Sequence, residues 1–190
     1  TRTVVHLLRH GKVENPTRVL YGRLPDFHLS EAGVLMAKRA AAALSDADIV
    51  AIVASPLERA VETATPISEQ FGLPIRIDGR LIEPANHFEG RTFGVGDGAL
   101  KHPSNWPHVV NPFRPSWGEP YEEIATRMLA AVATARDEAL GHEVVCGSHQ
   151  LPIWVTRRKS DRRRLWHDPR RRQCALGSLT SLVFDDANIV

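Results

Sequence analysis

Cysteine is scarce in this 190-residue chain, with Cys146 and Cys174 the only two. Two thiols with no C-x-x-C spacing exclude a disulfide framework and a zinc ribbon, and they fit a reducing compartment. Long apolar runs are missing as well. No stretch approaches the roughly 18 to 20 uninterrupted apolar residues of a membrane helix, and Thr1 to Val5 lead straight into a strand-like segment rather than an export signal. No carboxylate cluster stands at metal-ligand spacing. The expectation is a soluble cytoplasmic protein that uses no metal and no cofactor. Net charge is small, at +2, but unevenly spread. Arg157 to Arg172 holds nine Arg or Lys against two Asp, so the rest of the chain is net negative. A basic run is usually a solvated face, and no RNP, zinc-finger or helix-turn-helix signature accompanies this one, which argues against nucleic acid as partner.

What is present is a hydrophobic content of 43%, enough in one chain of this length to bury a substantial core. A single domain over 1–190 is expected. Thr3 to Leu8, Ile49 to Ala54 and Glu143 to Gly147 are nearly continuous apolar runs, the pattern of strands covered on both faces. Pro74 to Ile77 and Ser178 to Phe184 are two further strand candidates. Helical patterns lie between them at Glu31 to Leu44 (opened by Ser30), Pro56 to Phe71, Pro120 to Leu140 and Gln150 to Arg157. Ile124, Met128, Ala131, Val132 and Ala135 form the core-facing stripe of the third. The alternation predicts an α/β fold, a three-layer α/β/α sandwich with an open, mostly parallel sheet. Residues 84–119, rich in Pro, Gly and Trp, break regular elements and read as an irregular lid.

Chemistry concentrates at predicted strand ends. The first strand ends in Arg9-His10-Gly11, the second leads into Ser55-Pro-Leu-Glu-Arg59, and the third into Ser148-His149. Ligands of open α/β sheets bind at the carboxyl ends of strands, so neighbouring strands would pool Arg9, His10, Arg59 and His149 into a cradle for a phosphoryl group. Ser55 reads as a helix cap, with Pro56 in the first helical position and Glu58 completing a capping box. Arg59 then falls in the first helical turn, where a cation is disfavoured unless an anion faces it. Glu83, opening the irregular segment, supplies the acid that an alkoxide leaving group needs. Nearby cations, Arg9, Arg59 and Lys12, are expected to keep His10 neutral, and the substrate's negative charge to keep Glu83 protonated.

Taken together, Leu8-Arg-His-Gly11, Ser55-Pro-Leu-Glu-Arg-Ala-Val-Glu-Thr63, Leu81-Ile-Glu83 and Ser148-His149 resemble the histidine phosphatase superfamily, also called phosphoglycerate mutase-like. The segment from Tyr21 to Gly33 resembles that family's Gly…Asp…Leu-Ser/Thr-x-x-Gly stretch. The resemblance implies that His10 is the nucleophile that becomes phosphohistidine. It further implies that Arg9, Arg59 and His149 cradle the phosphate and that Glu83 is the general acid. Asn15, Tyr21 and Gly22 match substrate-side positions, Asn15 one place earlier than usual. Lys12 stands where Glu or Gln is common, Gln150 replaces the usual Gly, and Glu83 to Gly90 is one residue short.

The function implied is hydrolysis of a phosphate monoester, with a phosphorylated small molecule or a phosphopeptide as substrate. A homo-oligomer is compatible with the sequence. Two other readings stay open: phosphoglycerate mutase-type transfer, for which the chain is short, and a catalytically silent module that binds a phosphorylated ligand. His87, Phe88, Trp106 and Trp117 are candidates for lid contacts. His6, His28, His102, His108 and His142 read as structural or surface residues.

Overall fold

The computed structural model describes residues 1–86, 89, 90 and 118–190. Six strands form one sheet: β1 (Arg2–Arg9), β2 (Ile49–Ala54), β3 (Ile75–Ile77), β4 (Glu143–Ser148), β5 (Leu179–Asp185) and β6 (Asn188–Ile189). Their order is β3-β2-β4-β1-β5-β6. The first four run parallel, while β5 and β6 are antiparallel additions at one edge. The expected fold class, an α/β sandwich around a mostly parallel sheet, is what the chain adopts.

The apolar runs are continuous because both faces of these strands are covered. Leu8, Ile52, Ala54 and Val145 face α1 (Glu31–Ala43) and α2 (Glu58–Phe71), packing with Ala40, Ala41, Ala64 and Ile67. Val5, Leu7, Val53, Val144 and Cys146 face the other way, toward Ile124, Met128 and Val132 of α3 (Tyr121–Glu138) and Ile153 of α4 (Gln150–Ser160). Each fully buried Leu, Ile or Val contributes about 1.5–3 kcal/mol, so a charge on either face of β1, β2 or β4 would be strongly destabilising.

Helix ends explain where the loops go. Ser30 caps α1, its Oγ accepting from Gly33 N at 3.2 Å while donating to Lys12 O at 3.1 Å. That double use pulls the start of α1 against the loop after β1. A Cβ on Gly33 would lie 2.1 Å from Lys12 O, and one on Gly11 would lie 2.6 Å from Gly33 O. Gly33→Ala must therefore push the loop beside His10 away. It is expected to lower stability by about 1–3 kcal/mol, read by urea denaturation.

Two features depart from the sequence reading. The second helix begins at Glu58, not Pro56, with Leu57 as its uncapped N-terminal residue. Glu58 does not close a capping box; its carboxylate accepts from Asp26 N at 3.4 Å. The strand β6 is only two residues long, too short to leave a pattern. The segment read as a lid lies largely outside the described residues, as do His87, Phe88, His102, Trp106, His108 and Trp117. Its two ends meet, since Asn86 and Gly118 form an antiparallel bridge.

Candidate active site

The parallel strands deliver their carboxyl ends to one place. His10 N donates to Ser148 O at 3.2 Å and Ser55 N donates to Gly147 O at 2.8 Å, so the residues following β1, β2 and β4 are knitted together. His10 and His149 lie with ring centroids 5.3 Å apart. Among the described residues, ligand atoms of His10, Glu83 and His149 fall within 4.8 Å of one another.

His10 is buried, and its Nδ1 lies 2.8 Å from Gly11 O. A carbonyl only accepts, so Nδ1 carries the hydrogen and Nε2 keeps its lone pair. Gly11 N in turn donates to Thr63 Oγ1 at 3.0 Å, and that hydroxyl donates to Arg59 O at 2.6 Å. The turn that aims the imidazole is thus fastened to α2. Burial, helped by Arg59 and Arg9, depresses the His10 pKa to about 3 against the opposing pull of the Gly11 carbonyl. The imidazole is neutral as expected, but for a different leading reason: removal from water outweighs the cations. Lys12 is exposed and is not among the groups that act on His10.

Arg59 is the largest fully buried side chain. One guanidinium nitrogen donates to Gly22 O, and the group lies 4.6 Å over the Tyr21 ring. Its Nε and Nη1 are buried without a hydrogen-bond partner. Arg9 reaches Cys174 O through Nη1 at 2.5 Å and leaves Nε unpartnered. Burial lowers the pKa of both guanidiniums, yet neither has a carboxylate within 4.0 Å among the described residues. Unpaired buried cations cost several kcal/mol each, and the arrangement makes physical sense as the resting half of an ion pair whose anion is a ligand.

His149 is fully buried, and burial followed by repulsion from His10 and the arginines holds its pKa well below the usual histidine value. Its Nε2 lies 2.8 Å from Ser55 Oγ. Ser55 Oγ also accepts from Leu57 N at 3.4 Å. His149 Nδ1 is a buried atom without a hydrogen-bond partner. Ser55 therefore serves the turn before α2 and the second histidine together, while Leu57 starts the helix without a side-chain cap.

Glu83 follows a short 3-10 turn, Gly79–Leu81, whose Leu81 O accepts from Ser148 Oγ at 2.7 Å. Arg23 Nε holds the Glu83 carbonyl at 2.6 Å. The carboxylate approaches His149 Nδ1 at 3.6 Å, beyond hydrogen-bond range, with its side chain 19% exposed. Burial pushes the Glu83 pKa up to about 7, although Arg59, Arg172, Arg9 and Arg127 pull it down. The protein alone therefore poises this acid near neutrality, before any substrate charge is present.

The substrate-side candidates divide. Gly22 is tied to Arg59, and a Cβ there would run into Glu89. Tyr21 lies 6.4 Å from the His10 ring and 5.1 Å from Phe27. Asn15 closes its own loop, with Nδ2 donating to Val19 O at 2.9 Å and Oδ1 accepting from Val19 N at 3.2 Å, so its contacts do not link it to His10. The structural histidines behave as read: His6 bridges Ser181 and Glu143, His28 meets Glu62, and His142 meets Asp48. Three residues escaped the sequence reading. Ser55 passed as a cap, Thr63 as a motif position without a task, and Arg172 as one of a basic run. Only Thr63 carried a usable signal, its spacing from Arg59 by one helical turn.

A histidine, glutamate, histidine trio is a set that a divalent ion can use. Arg59 and Arg9 act on both His10 and Glu83, so the same space also carries positive charge.

The site is thus an anion cradle around a neutral imidazole, at the strand ends of a three-layer α/β fold. The profile of the histidine phosphatase superfamily (branch 1) matches residues 5–190, and the chain belongs to that family. It is 57% identical over 188 residues to an uncharacterized protein of Mycobacterium tuberculosis, covering 99% of this chain and 93% of that one. Among solved structures, YhfR of Bacillus stearothermophilus superposes with a TM-score of 0.83 at 26% identity, over 99% of this chain and 94% of the other. A mycobacterial glucosyl-3-phosphoglycerate phosphatase, solved with VO3, gives a TM-score of 0.75 at 27% identity, over 94% and 90%.

Proposed function

We propose that this protein hydrolyses a phosphate monoester through a phosphohistidine on His10, without a metal ion. The observation that carries the reading is the set of buried, unpartnered nitrogens on Arg9, Arg59 and His149 gathered around a neutral His10 whose free nitrogen is Nε2. Nε2 attacks phosphorus, the ester P–O bond breaks, and the departing oxygen takes the proton of Glu83. Glu83, now a carboxylate, draws a proton from water as that water attacks phosphorus, and the N–P electron pair returns to the imidazole. The arginines spread the charge of the loose transition state. A family neighbour named as a phosphatase, and solved in complex with VO3, supports hydrolysis.

The substrate in this reading is a phosphorylated small molecule, and residues 1–190 act as one catalytic domain. Quenching the protein during turnover of a phosphate ester, with EDTA present throughout, tests the proposal. Acid-labile, base-stable phosphate on the protein is the expected result. Turnover with no such phosphate, or none once EDTA is added, would sink it.

Arg59 offers a second check. Replacing it with Met removes one hydrogen bond, about 1 kcal/mol, together with a buried unpaired cation that costs several. Arg59→Met is expected to melt higher than the parent. Inorganic phosphate at 100 times its Kd should stabilise the parent by about 2.7 kcal/mol and the variant not at all. Thermal unfolding with and without phosphate reads both effects.

A further inference from the structure

Beside the phosphoryl cradle lies a cleft of about 540 Å³, within the size range of small-ligand sites. Its lining includes Arg9, Gln150, Arg157, Arg172, Ser178 and Thr180. Arg9 belongs to both spaces, so the cleft adjoins the cradle.

Arg172 is held in place by His167 and Tyr121 and has no carboxylate in direct contact among the described residues. Its Nε donates to His167 Nε2 at 2.9 Å, which is possible because His167 Nδ1 donates to Leu165 O at 2.7 Å and leaves Nε2 as acceptor. His167 is itself packed against Tyr121 at 5.4 Å and Trp154 at 6.2 Å. No carboxylate lies within 4.0 Å of Arg172 or Arg9 among the described residues, and Arg157 has only Asp161, at 3.9 Å, a pairing worth little on an exposed face. Burial lowers the Arg172 pKa, so its charge is maintained at a cost. Arg9, Arg157 and Arg172 line the cleft together with Cys174.

In the proposed reaction Glu83 protonates the departing oxygen. Arg9 is shared by cradle and cleft, so with the phosphoryl group in the cradle it is the alcohol side of the substrate that can extend into the cleft. Gln150, standing where the family usually has Gly, lines the same space, so this chain has altered the family pattern at this spot.

Resting on the phosphatase reading, we infer that the cleft of Arg9, Arg157, Arg172 and Gln150 recognises a second anionic group, carboxylate or phosphate, on the alcohol side of the substrate. The preferred substrates are phosphorylated acids or bisphosphates, not esters of neutral alcohols.

Two matched pairs test this in the full-length chain: glycerol 3-phosphate against 3-phosphoglycerate, and glucose 6-phosphate against 6-phosphogluconate. Glucose 1,6-bisphosphate serves as the second-phosphate arm. Hydrolysis is followed with the parent and with Arg157→Gln, chosen because Arg157 is not among the cations acting on Glu83. Affinity is measured by calorimetry on His10→Ala protein with and without Arg157→Gln. Charge-assisted hydrogen bonds to a second anion should favour the doubly anionic member of at least one pair by about tenfold or more in kcat/KM and in Kd, and Arg157→Gln should erase most of that preference. A carboxylate or a phosphate preference identifies which anion the cleft takes. Equal affinities within threefold for all probes, or a preference untouched by Arg157→Gln, overturns the inference. Preferential binding without hydrolysis by the parent would instead defeat the phosphatase reading and leave the cleft assignment standing.

Discussion

Alanine at position 10 is expected to remove covalent phosphate from the protein altogether and to lower turnover of any ester on the order of 10⁵-fold, the scale seen when a nucleophile is deleted. The size follows from what His10 does alone. Thr63 and Gly11 fix the turn that carries it, and the Gly11 carbonyl fixes its tautomer. Among the described residues the other imidazole at the site is His149, whose Nε2 is engaged by Ser55. The fold should survive, since β1, β4 and α2 pack through other residues, and a circular dichroism melt of His10→Ala would show it. Rapid-quench measurement of bound phosphate and steady-state turnover together decide the matter. A variant that keeps even a hundredth of parental activity with no change in pH profile would remove His10 from the mechanism.

Substituting Gln for Glu83 should have the second largest effect, and a selective one. For an alkyl phosphate, whose alkoxide must be protonated as it leaves, kcat/KM should fall by about 10²- to 10⁴-fold. For p-nitrophenyl phosphate, whose phenolate departs unaided, the loss should be far smaller. The pH profile of the parent carries the same information. His10 must be unprotonated, so the rate rises as pH passes about 3. Glu83 must be protonated in the first step, so the alkyl ester rate falls as pH passes about 7. The alkaline limb should vanish in Glu83→Gln, since an amide does not titrate there. Equal losses for the alkyl and aryl esters would show that residue 83 holds substrate rather than donating a proton.

The parts of the fold that were legible in the sequence are those whose physics is local or periodic. Unbroken apolar runs marked β1, β2 and β4 because helices cover both faces of each. Ser30 marked the start of α1 because a cap is a short-range bond. Arg9, His10, Arg59 and His149 could be gathered in advance because carboxyl ends of parallel strands share one edge. Misreadings arose where tertiary structure redirected a side chain. The Ser55 hydroxyl meets a histidine 94 residues away and the backbone of Leu57, the residue before the helix, so the cap rule placed the second helix two residues early. Arg172 looks identical to its neighbours in a basic run, and only the packed His167 beneath it separates it from solvated arginines. The source of the His10 and Glu83 shifts was likewise hidden, because burial is a property of the assembled fold and neighbouring charges were all the sequence displayed.

Thr63 and Arg59 are joined to different partners but sit on consecutive turns of a single helix. The turn that carries His10 and the Arg59 guanidinium are therefore both anchored on one helix, with a rise of about 5.4 Å per turn. A scaffold of this kind tolerates wholesale remodelling of its rim, because new leaving-group contacts can be added or deleted without disturbing the spacing on which phosphorus transfer relies.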